Sequence, residues 1–447
     1  MLAATTMPLN STMIAVAVPE ISVEFDRDPT LVTQVLVTSY LIAQVVLQSP
    51  AGKLGDRVGH ARMVVVGQVL VAGGALLGYL APTLGLLTLS RILMAVGGAA
   101  LVPSAMALMR HALPQDRRGR AFGAFGSMMA LSAALGPVVG GELVGAYGWR
   151  SVFAANLPVL AIAAALTVIA GRPAEPPHTT STRFDWIGTV LLASGLTAIM
   201  LGLRPDGSHV ALLVAIGAGL LVPFTLWEQR ASDPVVTFSL FRSAPFTAGA
   251  TLIALQNLVM YSLIFQIPLV AVALFDIGSR GTGRILLSMM LAMVIISPVA
   301  GRLVDHLGPR LVAVAGSIAA LVGVAGLAWT DLTSPGQLVL PMVLMGIGLG
   351  LSSPSAQSAS MSAAPWGLAG SAAGVSSTMR YLGGIVGIAI MSLLLDVHGS
   401  RADVIAEHRT ILAVYAVALV VGLVCAILLP GRTTTVEQPA EAEQPIV

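Results

Sequence analysis

The sequence predicts an all-α polytopic membrane protein of 14 transmembrane helices, arranged as six, two and six, with both termini cytoplasmic. Three observations carry this expectation. Of 447 residues, 56% are hydrophobic and 10% charged, with a mean hydropathy of +0.89; soluble domains carry about 25% charged residues. Charge-free apolar runs recur at the length, about 20 residues, at which a helix crosses a bilayer. Lysine and arginine are distributed unevenly between alternate loops. A soluble enzyme and a membrane anchor carrying a soluble head are both excluded, because so many spans leave only short loops. The net charge of +2 implies no nucleic-acid partner. A single cysteine, Cys425, excludes an intrachain disulfide and any multi-cysteine metal site, and no cofactor is implied.

The spans follow from the runs between charged residues. Met1–Pro19, Pro29–Gly52, Met63–Ser90, Ile92–Met109, Ala121–Gly141 and Ser151–Gly171 predict six helices. Trp186–Leu203 and Gly207–Trp227 predict two more. Ser243–Phe275, Ile285–Gly301 and Leu311–Thr330 follow. The run Leu332–Met379 is too long for one helix and should break at Ser362–Gly367, where Pro365 and Gly367 punctuate it; its second helix continues through Arg380 towards Leu395. Thr410–Gly431 is the last. The N-terminus has no basic stretch, and Pro8 and Asn10 interrupt its apolar run, so it reads as a first span and not as a secretory signal. With that end inside, 14 Lys and Arg residues lie in inner loops and 7 in outer ones, as the positive-inside bias requires.

A repeat divides the chain. Gly52-Lys-Leu-Gly-Asp56-Arg57-Val-Gly59 returns as Gly301-Arg-Leu-Val-Asp305-His-Leu-Gly308, and Pro19 returns as Pro268 at the same offset. Gly97 and Pro103-Ser104-Ala105 return as Gly348 and Pro354-Ser355-Ala356, and Gly123 and Gly136 as Gly374 and Gly387, at an offset two residues longer. The expected organisation is a six-helix bundle over 1–172, two inserted helices with flanking loops over 173–242, a second bundle over 243–431 and a disordered Pro/Glu-rich cytoplasmic tail over 432–447. Duplicated halves in one membrane are the mark of secondary transporters that hold substrate at the repeat interface. A duplicated receptor or scaffold is the alternative of another class.

The loop Gly52–Arg62 can act as a cytoplasmic latch. Its glycines, Gly52 and Gly59, permit a tight turn, and Asp56, Arg57 and the repeated Asp305 can pair with arginines of adjacent loops or with a helix N-terminus. The competing reading is a solvated basic loop. These residues resemble the major facilitator superfamily signature G-x-L-x-D-R-x-G-R-R, whose last part here reads Gly59-His60-Ala61-Arg62, so that the first arginine is replaced. Gly136-Pro137-Val-Val-Gly140-Gly141 resembles the antiporter motif G-P-x-x-G-G. Tyr147-Gly-Trp149-Arg150 through Asn156-Leu-Pro158, Phe184-Asp185-Trp186-Ile-Gly188, and Arg91 in Leu-Ser-Arg resemble the fourteen-helix drug:proton antiporters (the EmrB/QacA type). The resemblance covers the whole chain. It implies the major facilitator fold and multidrug-type efflux of hydrophobic compounds across the bacterial cell membrane in exchange for protons.

One departure bears on mechanism. The family's first helix reads L-D-x-T-x-x-N-x-A-L-P, whereas this chain has Leu9-Asn10-Ser-Thr12-Met-Ile-Ala15-Val-Ala17-Val18-Pro19. The proton-binding Asp is Asn10, which does not titrate. Of the 21 acidic residues, only Glu142 is placed to titrate within a span, as a coupling group or as an outer carboxylate paired with Arg150. Arg91 and Arg380 lie inside helices of different halves, where they meet either a substrate or a main-chain carbonyl or helix dipole. Asn10, Tyr40, Gln44, Gln256, Asn257, Tyr261 and Tyr381 complete the expected substrate-binding set, as polar handles in an otherwise apolar, Met-containing cavity. The expected partners are a neutral or anionic amphiphile, protons and the lipid bilayer, with the chain acting as a monomer. A proton-independent facilitator or a lipid or metabolite exporter stays open beside the antiporter.

Overall fold

The computed structural model describes residues 2–112, 115–170, 185–202, 210–231, 234, 236, 238–363 and 369–431, without the side chains of Ser49, Pro50, Lys53, Asp56, Arg57, most of those between 110 and 130, and a few others at 134, 170, 200, 210, 211, 369–371 and 373. Its long helices are α1 (Leu2–Phe25); α2, built from Pro29–Thr33, a π-helical stretch Gln34–Thr38 and Ser39–Val58; α3 (His60–Leu80); α4 (Leu84–Ala112); and α5 (Gln115–Tyr147). α6 is Asn156–Ala170 behind the short turn Ser151–Ala154, α7 is Trp186–Gly202 and α8 is Val210–Glu228. Then follow α9 (Ala244–Phe275), α10 (Ser279–Leu307), α11 (Pro309–Trp329), α12 (Val339–Ser362), α13 (Ala369–Leu394) and α14 (Arg401–Leu428). Among the described residues, 11 helices are long and apolar enough to cross a membrane, and Leu131–Tyr147, Trp186–Ile199 and Leu212–Glu228 are shorter apolar segments. The tail 432–447 lies outside the described residues.

Several helices run past the charge-free stretches that announced them, since charged residues at helix ends reach polar surroundings. α1 continues through Glu20 and Glu24, and α5 begins at Gln115. The long apolar run divides as its punctuation predicts, one helix ending at Ser362 and the next starting at Ala369. At the matched loops, Gly59 (φ 97°) and Gly308 (φ 82°) separate α2 from α3 and α10 from α11. A side chain there would be strained, which explains why the repeat keeps glycine at both.

Packing repeats between the halves. α1 lies along α5 as α9 lies along α13; α3 pairs with α4 as α11 pairs with α12; α2 meets α4 as α10 meets α12. α7 and α8 form a hairpin that touches α2. Asp185 builds its base: Oδ1 accepts from Gly188 N at 2.8 Å and from Trp227 Nε1 at 2.7 Å. Gly188 must lack a β-carbon because the carboxylates of Asp185 and Glu228 occupy that space.

The two halves join chiefly through α5 with α10 and α2 with α13, and α1 also touches α9. At the face where α1 ends, here the far face, backbone meets backbone. A β-carbon on Gly141 would lie 2.7 Å from the Ser279 carbonyl oxygen, and one on Gly283 would strike the Pro137 carbonyl. Polar contacts seal the same face: Ser279 Oγ donates to Glu20 (3.2 Å), Ser392 Oγ donates to the Thr30 carbonyl (3.3 Å), and His398 Nε2 lies 3.4 Å from Asp28 Oδ2.

Candidate functional site

The site is organised around one face of α4. Arg91, Met94, Ala95 and Gly98 recur at helical spacing and face α1 and α2. Arg91 is fully buried. Its guanidinium stacks 4.4 Å from the centre of the Tyr40 ring, and its Nε donates to the Leu36 carbonyl at 3.4 Å. Leu36 belongs to the π-helical stretch of α2, a helix form that occurs mostly as single turns inside α-helices, frequently at functional sites. Neither Nη atom of Arg91 has a hydrogen-bond partner among the described residues. Leaving such donors unmet inside a protein is costly.

Around Arg91 the N-terminal half supplies amides and thioethers. Gln44 Nε2 donates to the Ala95 carbonyl (3.2 Å) and to the Tyr40 hydroxyl (3.4 Å); that hydroxyl donates to Met7 Sδ (3.7 Å). Asn10, fully buried, points Nδ2 at Met94 Sδ (3.6 Å) and leaves Oδ1 without a partner. A β-carbon on Gly98 would displace the ends of the Met7 and Gln44 side chains, which lie against α4 there.

The C-terminal half faces this group with Tyr261, Tyr381 and Arg380. Tyr261 lies beside Ser11 of α1 and within electrostatic reach of Tyr40, Tyr381 and Arg380. Arg380 donates through Nη2 to Gln357 Oε1 of α12 at 3.3 Å. Asn257, one turn before Tyr261 on the same face, spends its Nδ2 on the Ile253 carbonyl at 2.8 Å. Gln256 stands apart, five residues and so about 140° around the helix from Tyr261. It shares a face with Gly249, which packs on Ala356 and Ser360 of α12, and both its polar atoms are buried without partners. Seven of the nine expected residues therefore come together, Asn257 joins through its helix face, and Gln256 belongs to the interior of the C-terminal half.

Three contacts were not legible in the sequence: Gln357 as the partner of Arg380, the sulfurs of Met7 and Met94 as acceptors, and the Leu36 carbonyl. They depend on which helices become neighbours.

Glu142 is not paired with Arg150. It is half exposed near the far face and bridges the halves to Arg280 (3.1 Å) and Arg284 (3.9 Å) of α10. Arg150 instead meets Glu24 at 2.7 Å, stacks 4.3 Å from the Trp149 ring centre and donates to the Ala81 carbonyl at 3.3 Å. Trp149 Nε1 reaches the same Glu24 at 2.5 Å, so the motif from Tyr147 to Arg150 clamps the ends of α1 and α3.

The antiporter-like motif packs α5 on α1. Gly136 leaves no room for a β-carbon beside Thr12, and Gly140 would strike Met13 backbone. Pro137 has no N–H to give the carbonyl four residues back, and that Ala133 carbonyl is the nearest acceptor to Thr12 Oγ1, at 2.9 Å, with the Pro8 and Leu9 carbonyls of α1 at 3.0 Å and 3.2 Å. In the latch, Gly52 lies against Pro103 of α4 and Asp305 is exposed in the last turn of α10; the side chains of Asp56 and Arg57 lie outside the described residues.

Known proteins share this architecture. The Major Facilitator Superfamily profile matches residues 1–388. The chain is 34% identical over 402 residues to the "Uncharacterized MFS-type transporter YvkA" of Bacillus subtilis, covering 89% of this chain and 90% of that one. It is 30% identical to the "Tetracenomycin C resistance and export protein" of Streptomyces glaucescens, covering 87% and 73%. With "Multidrug resistance protein Stp" of Mycobacterium tuberculosis it shares 28% identity over the same proportions. A solved bacterial homolog of the human lysosomal transporter Spinster, in an inward-facing and unoccupied conformation, superposes with a TM-score of 0.70 at 14% identity, over 96% of this chain and 95% of that one. A profile match across most of the chain, with the duplicated packing of helices, leaves one assignment: this multi-pass membrane protein belongs to the major facilitator superfamily of transporters.

Proposed function

We propose that the protein is a secondary exporter of hydrophobic or amphiphilic small molecules, working by alternating access in a bacterial cell membrane. The observation that carries this reading is the junction itself. Tyr40 and Arg91 from one half face Tyr261, Tyr381 and Arg380 from the other, directly between the surfaces that must rock. The names of two relatives, a resistance and export protein and a multidrug resistance protein, support outward flux. The division into bundles 1–172 and 243–431, with an inserted pair over 173–242 and 14 spans in all, is part of the proposal. So are the cytoplasmic termini, for which the Lys/Arg bias argues. In that orientation the far face is external and closed, and the conformation is inward-facing.

Proton antiport is the coupling the family resemblance implies. The second reading, transport without protons, is favoured by Asn10, which stands where the family has an aspartate, and by the half-exposed, ion-paired position of Glu142. Everted vesicles from an efflux-deficient bacterium expressing the chain separate the two. Accumulation of a fluorescent amphiphile above the empty-vector level supports export, and none sinks it. Persistence after the proton gradient is collapsed favours the second reading. Glu142→Gln vesicles that keep any pH-driven uptake exclude Glu142 as the coupling group.

A further inference from the structure

Among the described residues, the site at the junction between the halves carries two arginines and no carboxylate. Every acidic residue on a long helix lies within two turns of a helix end: Glu20, Glu142, Glu228, Asp305 and Glu407 are representative. Arg91 also lies about two turns from the start of α4 but is fully buried, and Arg380 sits about 16 Å into α13, at 1.5 Å per residue. His408 of α14 is at a depth similar to Arg91 but faces Gln266 of α9, 3.0 Å away. Among the described residues no carboxylate pairs with Arg91 or Arg380.

Arginine keeps its proton in proteins, so both positive charges are permanent. Two unpartnered Nη atoms on a buried guanidinium present the fork that fits an oxyanion with two parallel hydrogen bonds. The adjoining rings of Tyr40, Tyr261 and Tyr381 offer apolar faces for the rest of an amphiphile. The same fixed charge repels a cation. Because both arginines return with the empty carrier, the net charge moved in a full cycle is that of the cargo. A cell interior is electrically negative, so carrying an anion outward runs down the membrane potential and needs no exchanged proton.

Resting on the exporter reading above, we infer that the cargo is an amphiphile bearing a carboxylate, sulfonate or phosphate, and that the protein is an electrogenic anion uniporter energised by membrane potential. The full chain, reconstituted in liposomes, tests this with 1-anilinonaphthalene-8-sulfonate as a monovalent anion and ethidium as a cation of similar size. A potassium gradient with valinomycin sets the potential; nigericin sets a pH gradient at zero potential. The expected result is protein-dependent redistribution of the sulfonate towards the positive side, about tenfold for each 59 mV imposed, with no accumulation from a pH gradient alone. Arg380→Gln should slow the sulfonate about tenfold, Arg380→Lys should retain more of the rate, and both should elute as monodisperse protein. Sulfonate flux that follows pH and ignores potential, or ethidium flux without sulfonate flux, overturns the inference and leaves the exporter reading standing. Flux of neither probe overturns both.

Discussion

Thr12 shows how one hydroxyl makes a helix-breaking residue tolerable. Pro137 frees the Ala133 carbonyl in a part-buried helix pair, and Thr12 Oγ1 has it as its nearest acceptor across the α1–α5 contact, at 2.9 Å against 3.0 Å and 3.2 Å to the Pro8 and Leu9 carbonyls of its own helix. Thr12→Val should lower stability by about 1–3 kcal/mol, the cost of an unmet buried acceptor. In a Pro137→Ala background the new N–H serves that carbonyl, so the same change should cost clearly less. Thermal unfolding of the four proteins in detergent measures the coupling, and strictly additive losses would contradict it. Gly387, the repeat partner of Gly136, is confined more severely, because a β-carbon there meets the Leu258 main-chain carbonyl, which has no rotamer to yield. Gly387→Ala should therefore reduce the yield of monodisperse protein well below that of Gly374→Ala, where nothing lies within 4 Å.

Among the helices, the far-face ends are held by two arginine clamps that repeat with the halves. Arg150 ties α1 to the Ala81 carbonyl after α3; Arg401 donates at 2.6 Å to the Leu274 carbonyl of α9 and at 2.6 Å to the Leu332 carbonyl after α11. Arg150 to Arg401 and Ala81 to Leu332 share the offset that relates Gly97 to Gly348. Read along the sequence, Arg401 was only a member of an outer loop and Arg150 a motif residue offered to Glu142; their equivalence appears when the helix ends are brought together. The clamps differ in strength for a physical reason. The Arg150–Glu24 pair is 35% and 41% exposed and, as a surface pair, contributes below about 1 kcal/mol. Arg401 satisfies two part-buried carbonyls with charged donors, each such bond stabilising by about 1.5–3 kcal/mol. Arg401→Gln should accordingly lower the melting temperature more than Arg150→Gln, and the reverse order in a thermal-shift comparison would refute this ranking.

For the whole molecule, closure of the far face is one event distributed over several contacts. Gly141 and Gly283 set how near α5 and α10 approach, while Thr30 with Ser392 joins α2 to α13. The lone cysteine makes this measurable: in a Cys425→Ser background, the pair Thr30→Cys and Ser392→Cys should form a disulfide readily in the resting protein. Adding Gly283→Ala, whose β-carbon would strike the Pro137 carbonyl, should slow that cross-link by pushing the far face apart, with little loss of stability because each half keeps its own packing. An unchanged cross-linking rate would mean that the glycine contact does not govern closure. Glu142 with Arg280 and Arg284 adds only a solvated bridge, and Glu142→Gln should leave the rate within about twofold, since exposed pairs contribute little.

Charge content and its periodic interruption determined that this chain is a bundle of membrane-length helices, because a helix in lipid must satisfy its own backbone. Glycine and proline at matched offsets pointed to a duplication, since positive φ at Gly59 and Gly308 is a local requirement that any neighbour would respect. The interior arginines were legible for the same reason: a charge inside an apolar run stands out residue by residue. What local signals do not contain is which helices touch. Only the tertiary structure separated Gln256 from the site, gave Arg380 its Gln357 partner, moved Arg150 to Glu24 and Glu142 to α10, and left the Arg91 guanidinium stacked on Tyr40 with its outer nitrogens unmet. Helical periodicity fixes a residue's face, but the partner on that face is chosen by packing between segments far apart in the chain.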